Sequence, residues 1–181
     1  MSMKNLEHAL QYTEDTQNVL IQLIKELCAI PSFSHHELKK AQFIQNWFAK
    51  LGVEAIIDEK YNVIVSIDAE DKDQLTVFMA HIDTVFPDET GFECVEEDGW
   101  LCAPGVGDDT TNVAELMLIA KYIIENKRGN RQTVSFGSRS ADRSFGTLQR
   151  WKKLANQHHP RQKISCESQL CPRKDHNHKL L

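Results

Sequence analysis

The residue types with the most chemistry in them fall in two short stretches. The first is Met79-Ala80-His81-Ile82-Asp83-Thr84-Val85, which closes an apolar run that begins at Leu75. Side chains alternate along a strand, so His81 and Asp83 are expected on one face. A histidine at the carboxyl end of a central strand sits where α/β sheets place their ligands. A carboxylate two residues on can accept the second imidazole N–H, which fixes the tautomer and raises the basicity of a metal ligand. By itself, His-x-Asp also fits a surface histidine beside an unrelated aspartate.

The second stretch is Gly105-Val106-Gly107-Asp108-Asp109-Thr110-Thr111-Asn112, just before an amphipathic segment. Its Asp, Thr and Asn are ordinary helix-capping types. A glycine-rich turn opening a helix can also bind phosphate. Two adjacent carboxylates repel an anion, however, and favour a hard or borderline cation such as zinc.

Helices and strands must position these stretches. Thr16 can cap a helix running to about Ala29, with Val19, Leu20, Leu23, Ile24 and Leu27 at helical spacing. Pro31 stops it, and Pro31–Ser34 reads as a turn. A second amphipathic helix is expected from about His36 to Leu51, with Gly52 as its C′ residue. Three β-rich runs follow, Val53–Ile57, Asn62–Ile67 and Leu75–Ala80, and the last reads as a central strand buried on both faces. A hairpin is expected around Glu97-Asp98-Gly99, and a third helix from Asn112 to Asn126, where Asn112 and Glu115 resemble a capping box. A further strand begins at Gln132-Thr133-Val134. This alternation implies an α/β sandwich with a largely parallel or mixed sheet.

Taken together, the two stretches are far more specific than either alone. An apolar strand ending in His-x-Asp-Thr-Val, a loop, then Gly-x-Gly-Asp-Asp opening a helix resembles the zinc-dependent exopeptidases and deacylases. Peptidase T, carboxypeptidase G, acetylornithine deacetylase and succinyl-diaminopimelate desuccinylase are of this kind. Leu27-Cys28-Ala29-Ile30-Pro31-Ser32-Phe33-Ser34, with Glu37 following, is similar to that family's opening helix and turn. The resemblance covers about residues 15–134 and implies an incomplete three-layer sandwich, the N-terminal part of a catalytic domain, with a mixed, mostly parallel sheet. It implies that His81 binds one zinc, that Asp83 orients His81, and that Asp108 bridges two Zn2+ ions. Asp109 would follow Asp108 through a cis peptide bond. It also implies hydrolysis of peptide or N-acyl amino acid amide bonds, with small peptides or N-acyl amino acids as substrates. Many relatives have Lys-Gly after the Asp pair, where this chain has Thr110-Thr111, so the substrate class stays open.

The family's general base comes from a Glu-Glu pair expected near residues 138–145, where the only carboxylate is Asp142, with Arg139 and Arg143 on either side. The dinuclear site is therefore expected to be incomplete and the chain inactive as written. The family's dimerisation domain is likewise expected to be absent. Net charge changes abruptly at the same place. Residues 1–134 hold 11 Lys+Arg and 23 Asp+Glu, net −12, while residues 135–181 hold 10 and 3, net +7. Residues 135–181 thus read as a basic, non-homologous tail, disordered or translated from a shifted frame. Cys166, Cys171, His176 and His178 have the residue types of a zinc knuckle, at compressed spacing. Without interleaved aromatics the basic tail supports only non-specific contact with nucleic acid. A non-catalytic metal-binding remnant or a basic-tailed binding protein is the alternative reading.

The composition, 41% hydrophobic and 26% charged, is ordinary for a globular protein, and the length is enough for one domain with a core. No apolar run is long enough for a membrane span, the acidic N-terminal segment does not read as a signal peptide, and five scattered cysteines fit reduced thiols. A cytoplasmic location is the expectation.

Overall fold

A computed structural model of the chain describes residues 3–67, 75–87, 89–126 and 131–137. In chain order they form helices α1 (Met3–Cys28) and α2 (Leu38–Lys50), strands β1 (Ala55–Ile57), β2 (Val63–Ile67), β3 (Leu75–His81), β4 (Val95–Glu97) and β5 (Trp100–Cys102), helix α3 (Thr111–Asn126) and strand β6 (Arg131–Gly137). A wide turn, Val106–Thr110, leads into α3.

Strands β1, β2, β6 and β3 lie side by side in that order, and β4–β5 is the separate hairpin expected around Asp98-Gly99. β1 pairs with β2 and β2 with β6 antiparallel, whereas β6 pairs with β3 parallel. The fold is α/β and the sheet is mixed, but among the described strands it is not mostly parallel. The turn between β1 and β2 explains why. The Asp58 carboxylate accepts the N–H groups of Lys60 and Asn62 at 2.8 and 2.9 Å, closing a tight reversal. A connection this short can only reverse the chain, because parallel neighbours need a crossover of a dozen or more residues. Among the described residues β3 is paired on one side only, by β6, and its Met79 is 47% exposed. Among the described strands β3 therefore does not take the central, doubly buried place expected of it: an apolar run reports a tendency to be buried, not a place in the strand order.

Helix α1 begins thirteen residues before the expected Thr16. Thr16 is not a cap; its hydroxyl donates to the Tyr12 carbonyl at 2.6 Å from within the helix. Tertiary contact carries the extra turns. The Tyr12 hydroxyl donates to the Leu118 carbonyl at 3.4 Å, and the Tyr12 and Tyr122 rings stand 4.8 Å apart. Leu6 and Leu10 in this extension are exposed, so the apolar period that marks the rest of the helix is weak there. α2 ends as expected, with Gly52 at φ 74° donating to the Ala49 carbonyl at 3.0 Å. β6 runs to Gly137, past the break expected after Val134, and Phe136 is fully buried with its ring 6.0 Å from Phe48. Asp142 and the Cys166–His178 cluster lie outside the described residues. Among the described residues, no helix is long and apolar enough to cross a membrane.

The core between helices and sheet takes in Leu27, Ile44, Phe48, Met117, Val65 and Phe136. It also encloses a charge. Lys40, on the face of α2 that carries Ala41 and Ile44, is only 2% exposed. Burial lowers its pKa from 10.5 to about 8, against the opposing pull of Cys28 and Asp83 beside it.

That shift sets a stability prediction. Between pH 8 and 10.5 the unfolded chain holds the Lys40 proton more tightly than the folded one, so Lys40 makes stability rise with pH there. Cys28, pushed by burial from 9.0 up to about 11, has the opposite sign above pH 9. The net rise is therefore confined to pH 8–9. Lys40→Met should abolish that rise and stabilise the fold at pH 7 by roughly 3 kcal/mol, at 1.36 kcal/mol per pK unit. Urea denaturation of both forms at pH 7, 8 and 9 measures it; equal stabilities at pH 7 would show that the ammonium is solvated.

Candidate metal centre

β3 delivers His81 to the sheet edge, where its backbone pairs with Gly137 of β6. The chain then crosses to the opening segment: Phe33 bridges Thr84, and the Thr84 N–H donates to the Ser32 carbonyl at 2.9 Å. The turn before α3 approaches from the other side. Gly105 must be glycine for two reasons. Its φ is +74°, and a Cβ there would lie 2.9 Å from the Thr84 methyl carbon. Asp108 and Asp109 follow in non-helical backbone, joined by the cis peptide bond that the resemblance implies.

The two sequence stretches meet here. His81 Nε2 lies 2.9 Å from Asp108 Oδ1. The other ring nitrogen, Nδ1, lies 3.2 Å from the Asp83 carbonyl oxygen and 3.4 Å from its carboxylate. His81 and Asp83 thus share a face, and the backbone carbonyl of Asp83 is a nearer acceptor than the carboxylate expected in that role. The carboxylate of Asp83 is buried, at 4% exposure, and accepts the Ser34 hydroxyl at 2.9 Å. Asp109 acts on the backbone instead: its Oδ2 accepts the His81 N–H at 3.0 Å, and its Oδ1 accepts the Asn112 side-chain amide. Asn112 is therefore a tether to the turn, not the expected capping residue, because α3 already starts at Thr111.

Burial by itself would lower the His81 pKa. Hydrogen bonds that the ring donates to Asp83 and Asp108, with the charges of Asp109 and Asp83, outweigh it, and the imidazole is held above its ordinary 6.5. Both ring nitrogens face acceptors, which is the arrangement an imidazolium needs.

An imidazole nitrogen and a carboxylate oxygen are zinc-type donors. Two ligands at zinc distances in tetrahedral geometry are about 3.4 Å apart. The 2.9 Å separation of His81 Nε2 and Asp108 Oδ1 would need only a small opening to admit a cation. The fit is that of part of a shell, since among the described residues no group of three or more His, Cys, Asp or Glu is disposed to hold a metal.

The described residues thus form a mixed α/β domain with an imidazole–carboxylate pair at a strand end. Residues 62–166 match Peptidase family M28, and the chain belongs to that family. No curated protein sequence matches it. Among solved structures the fold is similar to aminopeptidase PepT from Bacillus cereus, with TM-score 0.58, 22% identity, and coverage of 66% of this chain and 36% of that one. It is similar to human carnosine dipeptidase 1, with TM-score 0.68 and 16% identity over 83% of this chain and 38% of that one. A tripeptidase from Staphylococcus aureus gives TM-score 0.56 and 20% identity over 65% and 35%. The chain spans little more than a third of the length of these structures.

Ser34 and Lys40, neither of them a site residue expected from the sequence, both address Asp83. For Lys40 a signal existed: positions 37, 40, 41, 44 and 48 form one helical stripe, which includes the buried Glu37 and Lys40.

The dyad predicts a pH signature. Because His81 is raised in the folded state, its stabilising contribution is complete below pH 6.5 and is lost as pH rises through the folded value. In the metal-free chain an NMR titration of the His81 ring should have its midpoint above 6.5, and Asp108→Asn should bring it down. An unchanged midpoint in the variant would mean that Asp108 does not face the ring in solution.

Proposed function

We propose that residues 1–134 are the N-terminal part of the catalytic domain of a zinc-dependent hydrolase of peptide or N-acyl amino acid amide bonds. The observation that carries this reading is the contact between His81 and Asp108, which the sequence separates and the fold joins. In it, His81 Nε2 and Asp108 are the metal ligands and Asp83 orients the imidazole through Nδ1. A zinc ion bound there would supply Lewis-acid chemistry toward an amide carbonyl. The chain's own part is to hold the donors: Asp109 fixes the His81 backbone, and Ser34 fixes the Asp83 carboxylate. The three-layer form of the complete domain belongs to this reading. The family membership and the likeness in fold to peptidases support it.

General-base catalysis needs a positioned carboxylate. The region around residues 138–145 offers Asp142 alone, so the chain as written is read as inactive. The basic segment after Val134 is read as foreign to the domain, on its charge reversal from −12 to +7. The family match running to residue 166 weighs the other way. The coding DNA tests this point: a shift of frame near codon 135 that yields an apolar strand and then a Glu pair supports it, and its absence from both alternative frames removes it.

The functional test is direct. The purified chain should bind Zn2+ in calorimetry, weakly for want of a full shell, and His81→Ala and Asp108→Ala should each abolish the binding. Assays with dipeptides and N-acyl amino acids at saturating zinc should show no turnover. Zinc binding that survives both substitutions would remove the ligand assignment. Zinc-dependent turnover that is lost in His81→Ala would show that the chain carries a base after all.

A further inference from the structure

The end of α1 meets the loop that joins β3 to the hairpin. Cys28, the last residue of α1, has a carbonyl that no further helical turn can satisfy. The Phe92 N–H takes it at 2.9 Å. Gly91, at φ +81°, lies so close that a Cβ there would come within 2.0 Å of the Ala29 carbonyl oxygen. This approach lays Cys94 against the core beside Cys28, and both are free thiols. Beside burial, the neighbouring Cys94 thiol helps push the Cys28 thiol up, and Lys40 faces Cys28 from α2. Cys28 is 4% exposed and Cys94 is half-buried.

We infer that Cys28 and Cys94 form an oxidisable dithiol, whose co-substrate is hydrogen peroxide and whose product is a disulfide joining the end of α1 to the loop that precedes β4. Cys94, nearer to solvent, is the first to react. Its sulfur attacks the peroxide, the O–O bond breaks, and Cys94 sulfenic acid and one water result. Cys28 then attacks the sulfenic sulfur; the S–S bond forms, the S–O bond breaks, and a second water leaves. Two thiols are oxidised by two electrons and one peroxide is reduced to two waters. Burial holds the Cys28 thiol up at about 11, so its proton leaves with the departing hydroxyl, as water, as the S–S bond forms.

This site is separate from the His81–Asp108 pair, yet it acts on the same framework. Residues 85–105 carry the chain from the His81 strand to the Asp108 turn, and the bond would fasten their midpoint to α1. The inference does not depend on metal binding or hydrolysis.

The test is a titration of the reduced full chain with hydrogen peroxide, followed by thiol counting and non-reducing peptide mass spectrometry. Two of the chain's five thiols should disappear, with one cross-linked peptide that contains Cys28 and Cys94, reversed by dithiothreitol. Cys94→Ser should abolish that peptide. Gly91→Ala leaves every thiol in place but pushes the loop off α1, and should slow cross-linking at least tenfold. Cross-linking of Cys94 to Cys102, Cys166 or Cys171 in place of Cys28, or survival of all five thiols, would overturn the inference. So would an unchanged rate in a folded Gly91→Ala chain.

Discussion

The arrangement depends on one carboxylate that touches no prospective ligand atom. Asp109 accepts the His81 backbone N–H with one oxygen and the Asn112 amide with the other. It thereby joins the last residue of β3 to the first turn of α3 across the gap between sheet and helix. The part-buried bond to the His81 N–H is of the charge-assisted kind, worth about 1.5–3 kcal/mol. With Asp109 fixed, its neighbour Asp108 is held toward the imidazole. The site is thus built from the backbone outward: the strand end is clamped first, and the side-chain contact follows.

Beneath the clamp lies a problem of charge. Asp83 is almost completely buried, and a buried carboxylate is costly unless it is hydrogen-bonded and balanced. Ser34 and the His81 ring supply hydrogen bonds, and Lys40 supplies an opposite charge from below. Lys40 meets part of Asp83's cost at the expense of its own solvation, so the core carries a strained ammonium in order to keep an acid under the imidazole. The opening turn, Pro31–Ser34, is drawn into the same system through Ser34 and through the Phe33–Thr84 bridge. An element that reads locally as a mere connection between two helices therefore fixes the orientation of the site.

Much of this was legible in the sequence, because the signals were local. The His-x-Asp spacing places two side chains on one strand face, and the Asp pair before an amphipathic segment marks a helix entrance. Gly52 and the Asp98-Gly99 turn declare themselves through the backbone conformations they permit. What could not be read depends on contacts distant in sequence. The first turns of α1 exist because Tyr12 packs on Tyr122, not because of any period in residues 3–15. The place of β3 at the end of the described strand order goes with the insertion of β6 between it and β2. Lys40 was passed over because its type suggests solvent, although its place on the helical stripe puts it in the core. The carbonyl of Asp83, which lies nearer the ring than its carboxylate, has no sequence signature at all.

A proton and a metal ion compete for the same place at His81. The contacts that raise its pKa, Asp83 on one nitrogen and Asp108 on the other, favour a ring that donates from both sides. A metal at Nε2 needs that nitrogen's lone pair, so binding must expel a proton and break the bond to Asp108. Every pK unit of stabilised imidazolium costs a cation about 1.4 kcal/mol when pH lies below the folded pKa. The Asp83 contact is different in kind, since a ring N–H at Nδ1 is kept whether Nε2 carries a proton or a metal. In the proposed metal-bound form Asp83 would serve both states, and Asp108 would be the switchable partner: hydrogen-bond acceptor in one, ligand in the other. Two donors give a cation little with which to outbid a proton already held by two acceptors. Affinity at this centre must come from further ligands, and the imidazole–carboxylate pair sets where they have to converge.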